Sequence, residues 1–111
     1  MNNVSEGPLA TLFRGSAIAK MLDCLVQHRD EELSKQFLAK ETGISWKTVW
    51  KELPYLEQLG LIKFTGKKGV SRLFMLNIED AAAQNLVRLS LSLDSLLHML
   101  LNITLREKIS N

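Results

Sequence analysis

Basic side chains are concentrated in the middle third of this 111-residue sequence. Residues 35–72 contain eight lysine or arginine residues against three acidic ones, a balance of +5, whereas residues 1–34 sum to −2 and residues 73–111 to −1. Clustered ammonium and guanidinium groups bind phosphate oxygens and attract polyanions such as nucleic acids. The charges alone fit a solvated basic face equally well, so the elements that position these side chains must decide between the two.

The stretch GISWKTVWKEL, residues 43–53, contains the residue types that such a contact needs. Its polar, basic and aromatic candidates are Ser45, Trp46, Lys47, Thr48, Trp50 and Lys51. On a helix that turns about 100° per residue, Val49 and Leu53 mark the direction of the core. Lys47 and Lys51 point nearly the opposite way, and both tryptophans flank the apolar stripe. The two lysines are therefore the predicted phosphate or base contacts.

The other candidates in this stretch allow two interpretations each. Trp46 is predicted to be partly buried and to brace the turn that precedes the helix. Trp50 borders the lysine face, so packing within the domain and contact with a sugar or a thymine methyl group remain equally open. Ser45 is first of all a helix cap, but Ser45 and Thr48 also carry hydroxyl groups suited to a phosphate.

Two helices with matching starts hold this stretch in place. Ser34 and Ser45 are both N-cap candidates, each framed by the two apolar residues of a hydrophobic staple. The first helix is predicted over residues 35–42 and ends at Gly43, while the second is predicted over residues 46–59. Two capped helices separated by a three-residue turn that contains glycine form a helix-turn-helix.

A further helix is predicted before this pair, and a proline interrupts the second helix. An apolar stripe at helical spacing indicates a helix over residues 9–28, whose main part Ser16 can cap. Pro54 lacks the N–H that the carbonyl of Trp50 would accept, so a kink is expected near Leu53. The residues that would meet a partner come before this kink.

A β-hairpin is predicted after the helices. Residues 61–65 and 71–76 indicate two strands, joined by the turn GKKG at residues 66–69. Basic side chains on the hairpin and at the start of the first helix of the pair are expected to reach phosphates or the minor groove. These side chains are Lys35, Lys67, Lys68 and Arg72.

The C-terminal third predicts one long helix, capped by Asn77 and continuing to about residue 108. Leucines and an isoleucine spaced alternately three and four apart form a heptad seam suited to pairing with a second copy. The seam comprises Leu86, Leu89, Leu93, Leu96, Leu100 and Ile103. Arg88, Asp94 and His98 interrupt the apolar stretch, so a membrane span is not expected.

The order of these elements and their residues resembles a known family. LFRGSAIAKMLDCL, FLAKETGIS and KTVWKELPYLEQLGLIKF, within residues 12–76, are similar to small prokaryotic winged-helix transcription regulators of the ArsR/MarR-like superfamily, especially archaeal ones. The resemblance implies a mainly α fold with a small β-hairpin (α+β), a winged helix-turn-helix plus a long C-terminal helix. It divides the chain into a flexible tail (1–8), a winged DNA-binding domain (9–76) and a dimerisation helix (77–111).

The resulting hypothesis is a cytoplasmic, homodimeric transcription regulator that binds double-stranded DNA sequence-specifically. Its recognition helix would enter the major groove, and its basic wing would contact the flanking backbone. The alternative is a winged helix that binds another protein through its leucine-rich C-terminal helix and contacts no DNA. A redox- or ligand-responsive regulator is a third possibility, for which the sequence offers only Cys24.

The sequence predicts no enzyme, cofactor or metal site. A single cysteine excludes an intrachain disulfide and fits a reducing compartment. His28 and His98 lie far apart in the chain, and the cysteine pair of the metal-sensing ArsR members is missing. No phosphate-binding glycine loop or nucleophile motif occurs, and no small-molecule effector is evident.

Overall fold

Five helices and one hairpin make up the computed structural model, which describes residues 6–110 and the side chains of residues 6–107. In chain order the elements are α1 (Pro8–Leu12), α2 (Ala17–Gln27), α3 (Lys35–Thr42), α4 (Trp46–Gln58), β1 (Ile62–Lys68), β2 (Ser71–Leu76) and α5 (Ala81–Ser110). The predicted fold class is confirmed, because the protein is mainly helical with an antiparallel hairpin before a long last helix. Of the predicted tail, residues 1–5 lie outside the described residues, and Pro8 already begins α1.

The N-terminal helical region is two helices instead of one. Arg14 and Gly15 have φ angles of 56° and 75°, in the left-handed region, and they separate α1 from α2. Ser16 then caps α2 as predicted, since its Oγ accepts a hydrogen bond from the backbone N–H of Ala19 at 3.2 Å. The break frees α1 to pack against both α2 and α5.

The helix-turn-helix forms where the caps predict it. Ser34 Oγ accepts from the N–H of Phe37 at 3.1 Å, and Ser45 Oγ accepts from the N–H of Thr48 at 3.2 Å. Between them Gly43 adopts a φ of 73°, the left-handed conformation that lets α3 end and the chain turn. The helix α4 continues through Pro54 and ends at Gln58.

The hairpin is longer and tighter than its sequence indicated. The predicted turn at residues 66–69 is wrong in extent: β1 continues to Lys68, and the loop is only Gly69 and Val70. Gly69 has a φ of 63°, as a two-residue hairpin loop with glycine in first position requires. A register shift between Phe64 and Gly66 absorbs Thr65 and keeps the strands paired beyond it.

The core lies between the three middle helices and the inner face of the hairpin. Its large, fully buried side chains include Met21, Leu25, Leu38, Val49, Leu53, Leu56, Phe74 and Leu76. Leu33, just before α3, forms an antiparallel bridge with Phe74, through N–H to carbonyl contacts of 2.7 and 2.9 Å. The bridge fixes the hairpin against the start of α3, so the position of the wing follows from the core.

The long helix α5 begins four residues after the predicted cap. Asp80 caps it, because its Oδ2 accepts from the N–H groups of Ala82 and Ala83 at 3.0 and 3.2 Å. Asn77 instead joins the end of β2 to the turn after α4, its N–H donating to Leu61 O at 2.8 Å and its Nδ2 to Gly60 O at 3.2 Å. The prediction that Asn77 starts the helix is therefore wrong.

One face of α5 completes the body of the protein. Ala83 is fully buried in the main core, and Leu86 packs against that core and against a smaller cluster made by α1 and α2. The rest of α5 extends away, and the protein is elongated, 57 × 32 × 19 Å.

Candidate nucleic-acid interface

The outer face of α4 presents the two predicted lysines. Lys47 and Lys51 are exposed, while Val49 and Leu53 are fully buried on the other side, as the helix wheel predicts. Tyr55, one turn beyond Lys51, is 51% exposed on the same face. Sequence reasoning missed Tyr55, although the same wheel places it there, and its hydroxyl group can donate to a phosphate oxygen.

The hydroxyl groups at the start of α4 are already paired with each other. Ser45 Oγ accepts from the N–H of Thr48 and donates to Thr48 Oγ1 at 2.9 Å. Ser45 is therefore the N-cap of α4, as predicted. Thr48 is half-buried, and its hydroxyl hydrogen remains able to donate to a partner at the N-terminal end of α4.

The tryptophans of α4 form a cluster with a lysine of α3. Trp46 and Trp50 are 45% and 52% exposed, and their ring centroids are 6.1 Å apart in an edge-to-face arrangement. The ammonium group of Lys35 lies over the Trp50 ring, 3.3 Å from its centroid. Trp50 thus packs against a basic residue of the neighbouring helix, a contact that a wheel drawn for α4 alone cannot include.

The wing carries three of the predicted basic residues on its exposed part. Lys67 of β1 lies directly opposite Arg72 of β2, and both are exposed, as is Lys68. The guanidinium carbon of Arg72 lies 3.6 Å from the centroid of the Phe64 ring. Like charges at opposed positions of a hairpin repel each other, so this arrangement favours an anionic partner.

None of the basic residues proposed for this surface has a carboxylate partner among the ion pairs of the described residues. Those ion pairs join Lys20 to Glu6, His28 to Glu31, Lys63 to Glu79 and His98 to Asp94. The six cations Lys35, Lys47, Lys51, Lys67, Lys68 and Arg72 are in none of them. The helix-turn-helix and wing therefore present a positive surface that the described part of the chain leaves without paired carboxylates.

The predicted seam of α5 divides into an inner and an outer part. Leu86 and Leu93 pack against the chain's own small cluster around Leu9, so they are half-buried in the single chain. The other four members lie outside and are between 42% and 50% exposed: Leu89, Leu96, Leu100 and Ile103. Further leucines are exposed on other faces, namely Leu91, Leu101 and Leu105.

By length and composition alone, α5 could also cross a membrane over Ala81–Glu107. Its first part, however, packs on the body through Ala83, Leu86 and Ser90. Residues 98–110 extend beyond the last half-buried leucine and measure about 20 Å, less than the roughly 30 Å of a hydrocarbon core. The helix is thus weak evidence for a membrane protein.

Cys24 and the histidines offer no reactive or metal-binding centre in the described part of the chain. Burial, with smaller contributions from nearby carboxylates, raises the pKa of the Cys24 thiol to about 12, so it stays protonated at neutral pH. Within residues 6–107, no group of three or more His, Cys, Asp or Glu side chains is placed to hold a metal ion.

A helix-turn-helix followed by a hairpin wing, with unpaired cations on both, defines the winged helix-turn-helix class of protein. Residues 17–71 match the family model described as an HTH domain, and the match begins at α2 and includes the first residue of β2. The match supports a DNA-binding transcription regulator, a class that is typically non-enzymatic. Neither curated proteins nor solved structures gave a match to the chain.

Proposed function

We propose that this protein is a cytoplasmic, homodimeric transcription regulator that binds double-stranded DNA sequence-specifically, in the manner of the ArsR/MarR-like regulators it resembles. The main support is the set of unpaired cations on α3, α4 and the wing, which share one helix-turn-helix domain. The proposal needs no cofactor, and it assigns no small-molecule effector.

In the proposed complex, α4 lies in the major groove. The groove of B-DNA admits an α-helix, and the first turns of a recognition helix reach the base edges. Lys47 and Lys51 contact guanine or phosphate, Thr48 donates to a phosphate, and Tyr55 reaches the backbone at the far end of the same face. Trp46 contacts the groove wall beside the capped start of the helix.

The wing lies on the flanking backbone. Lys67, Lys68 and Arg72 contact phosphates there, and Val70, which is 99% exposed at the tip, leads the hairpin toward the minor groove. The strands stay paired beyond the bulge up to a two-residue loop, which favours a defined position of the hairpin on the duplex.

Two copies pair through the outer stripe of α5, so that two α4 helices enter successive major grooves of a roughly palindromic site. The exposed leucines support this arrangement, since a soluble monomer rarely leaves such an apolar stripe uncovered. The same leucines favour the second candidate function, a winged helix that binds a different protein through α5 without contacting DNA.

Replacing Lys47 and Lys51 together by alanine tests the recognition-helix assignment. We expect DNA affinity at 0.1 M salt to fall at least tenfold, because two positive charges leave the face that meets the groove. The negative slope of log K against log salt should become less steep by about 0.9 for each phosphate that the variant no longer neutralises. Titrations of a selected duplex at several salt concentrations measure both quantities.

Lys20→Ala is the matched control, because Lys20 is paired with Glu6 away from α4. Its affinity and salt slope should equal those of the wild type. Unchanged binding by the Lys47→Ala/Lys51→Ala variant would refute the assignment. If the wild type binds no duplex even at low salt, the protein-interaction function is favoured instead.

A further inference from the structure

Lys35 and Arg72 belong to different elements, yet both lie against aromatic rings. The Lys35 ammonium group is 3.3 Å from the centroid of Trp50, and the Arg72 guanidinium carbon is 3.6 Å from that of Phe64. A cation over a ring face is held electrostatically but keeps N–H groups that point away from the ring available to an anion. Both cations are therefore positioned without being neutralised.

Contacts on either side of these two residues bring α3 and β2 together. Ser71 Oγ donates to Gln36 Oε1 at 3.3 Å. Ser71 directly precedes Arg72 in the chain, and Gln36 directly follows Lys35. The backbone bridge between Leu33 and Phe74 joins the same two segments. The two positive charges are thus held near each other by the fold.

The proximity has an electrostatic consequence. Burial and, second, the positive charge of Arg72 lower the pKa of Lys35. Without an anion between them, the two cations repel each other, and the ordered contacts of α3 with β2 oppose that repulsion. A phosphate that accepts from both would convert the repulsion into two favourable charge-assisted contacts.

We propose that Lys35 and Arg72 bind one shared phosphate of the DNA backbone, and that Trp50 is a positioning residue that holds Lys35 on this phosphate. The inference rests on the proposed function, because it requires a bound duplex. It gives Trp50 a role different from base contact: one ring face is covered by the Lys35 ammonium group, and the ring packs edge-to-face with Trp46.

Lys35→Gln, Arg72→Gln and the double variant test whether the phosphate is shared. Each single variant should lose roughly tenfold in affinity, the value of one charge-assisted contact, and the double variant should lose both contacts. The salt dependence of each single variant should stay close to that of the wild type, because the remaining cation still neutralises the phosphate. In the double variant, the slope of log K against log salt should become less steep by about 0.9 per bound subunit. A slope less steep by about 0.9 in each single variant and by about 1.8 in the double variant would show two separate phosphates and overturn the proposal.

Neutral methylphosphonate linkages, introduced one at a time into a selected duplex, locate the phosphate. The wild type should lose affinity at one linkage per half-site. Both Lys35→Gln and Arg72→Gln should lose less affinity at that same linkage, and the double variant should not respond to it. If the responses of the two single variants are reduced at different linkages, the shared site is refuted.

Trp50→Leu tests the positioning role, with Trp50→Phe as the conservative variant. Trp50→Leu should weaken binding in the wild-type background but have no further effect in Lys35→Gln, whereas Trp50→Phe should keep most of the affinity. In Lys51→Gln, the control background, the effect of Trp50→Leu should remain undiminished. A Trp50→Leu effect of equal size in the Lys35→Gln background would overturn the positioning role.

The outcomes separate this inference from the function on which it rests. If the wild type binds no duplex at low salt, both are refuted. If the wild type binds and Lys47→Ala/Lys51→Ala weakens it, but Lys35→Gln and Arg72→Gln change the response at different linkages, only the shared phosphate is wrong. Circular dichroism melting of every variant shows whether a loss of affinity reflects unfolding.

Discussion

Asp23 and Cys24 are neighbours in α2, and their side chains stabilise the fold in different ways. Cys24 is 6% exposed and belongs to the main core. Asp23 faces α1, and its two carboxylate oxygens accept from the N–H groups of Leu9 and Ala10 at 2.9 and 2.8 Å. The Cys24 side chain fills space in the core and stays neutral, while the Asp23 carboxylate accepts from backbone N–H groups that would otherwise be unpaired.

The Cys24 thiol should be unreactive in the folded protein. Because burial raises its pKa from 9.0 to about 12, almost no thiolate is present at pH 8, and we expect iodoacetamide to label it at least tenfold more slowly than after denaturation in urea. Mass spectrometry of timed reactions measures the rate. Labelling as fast in buffer as in urea would contradict the burial of the thiol and would favour the redox-responsive regulator as the alternative function.

The same pKa shift predicts a loss of stability at alkaline pH. The unfolded chain releases the Cys24 proton near its ordinary value of 9.0, whereas the folded protein holds it to about 12. The free energy of unfolding contributed by the neutral thiol is therefore fully present below pH 9 and decreases between pH 9 and 12. Urea unfolding at pH 8 and pH 10 should show a smaller decrease for Cys24→Ala than for the wild type; equal decreases would contradict the prediction.

At the scale of residues, the helix wheel correctly predicted the outward direction of Lys47 and Lys51 and the buried positions of Val49 and Leu53. It left Trp50 undecided for a physical reason. The wheel describes one helix, whereas Trp50 is covered by Lys35 from α3, whose position depends on how the two helices cross. That crossing is fixed by tertiary packing, which periodicity in one segment does not contain.

At the scale of elements, α1 is a short helix held in place from outside. Its N-cap residue, Gly7, provides no side-chain hydrogen bond, and Asp23 of α2 takes over that role. A Cβ atom at Gly7 would lie 2.4 Å from Asp23 Cγ, so the glycine permits the close approach. The docking of α1 therefore depends on one carboxylate.

Asp23→Ala should lower the free energy of unfolding by about 1–3 kcal/mol, because two backbone N–H groups lose their acceptor. Asp23→Asn keeps one acceptor oxygen and should lose less. Urea denaturation followed by circular dichroism measures both, with Asp30→Ala at an exposed position as the control. A change for Asp23→Ala no larger than that of the control would contradict the proposed role of Asp23 in holding α1.

Local signals explain which elements could be predicted. Ser16, Ser34 and Ser45 were identified as caps because a cap acts on N–H groups two or three residues away. Asn77 was misassigned because its partners, Gly60 and Leu61, lie in a distant turn. The extent of the hairpin was also missed, since cross-strand pairing at the wing is a non-local property.

At the scale of the whole molecule, α5 takes part both in the core and in the proposed dimer. Its inner face completes the core, and its outer stripe is exposed along much of its length. As a dimer interface the seam stays a prediction. Periodicity identifies apolar positions, but it does not say which of them face the chain's own α1. Leu86 and Leu93 do so, while Leu96 and Leu100 are exposed in the single chain.

Leu100→Lys together with Ile103→Lys should convert the proposed dimer into a monomer. Two ammonium groups per chain would face an apolar interface, so we expect the mass from sedimentation equilibrium at micromolar concentration to halve. Since both positions are exposed in the single chain, the melting curve of the separated subunits should stay cooperative.

Asn102→Lys adds a charge on another face of the same part of α5 and should leave the dimer intact. A wild-type protein that sediments as a monomer at all concentrations tested would refute the seam. A dimer that survives the Leu100→Lys/Ile103→Lys change would place the interface elsewhere on the molecule.

The end of α5 has a consequence for engineering. Residues 98–107 of α5 are all exposed, and Leu97 is the last half-buried leucine of the helix. Under the dimer proposal, this end of α5 can be exchanged for another coiled coil. A coiled coil of different length or handedness would change the distance between the two DNA-binding domains, and each domain would keep its own core. The same regulator could then be redirected to operators with different half-site spacing.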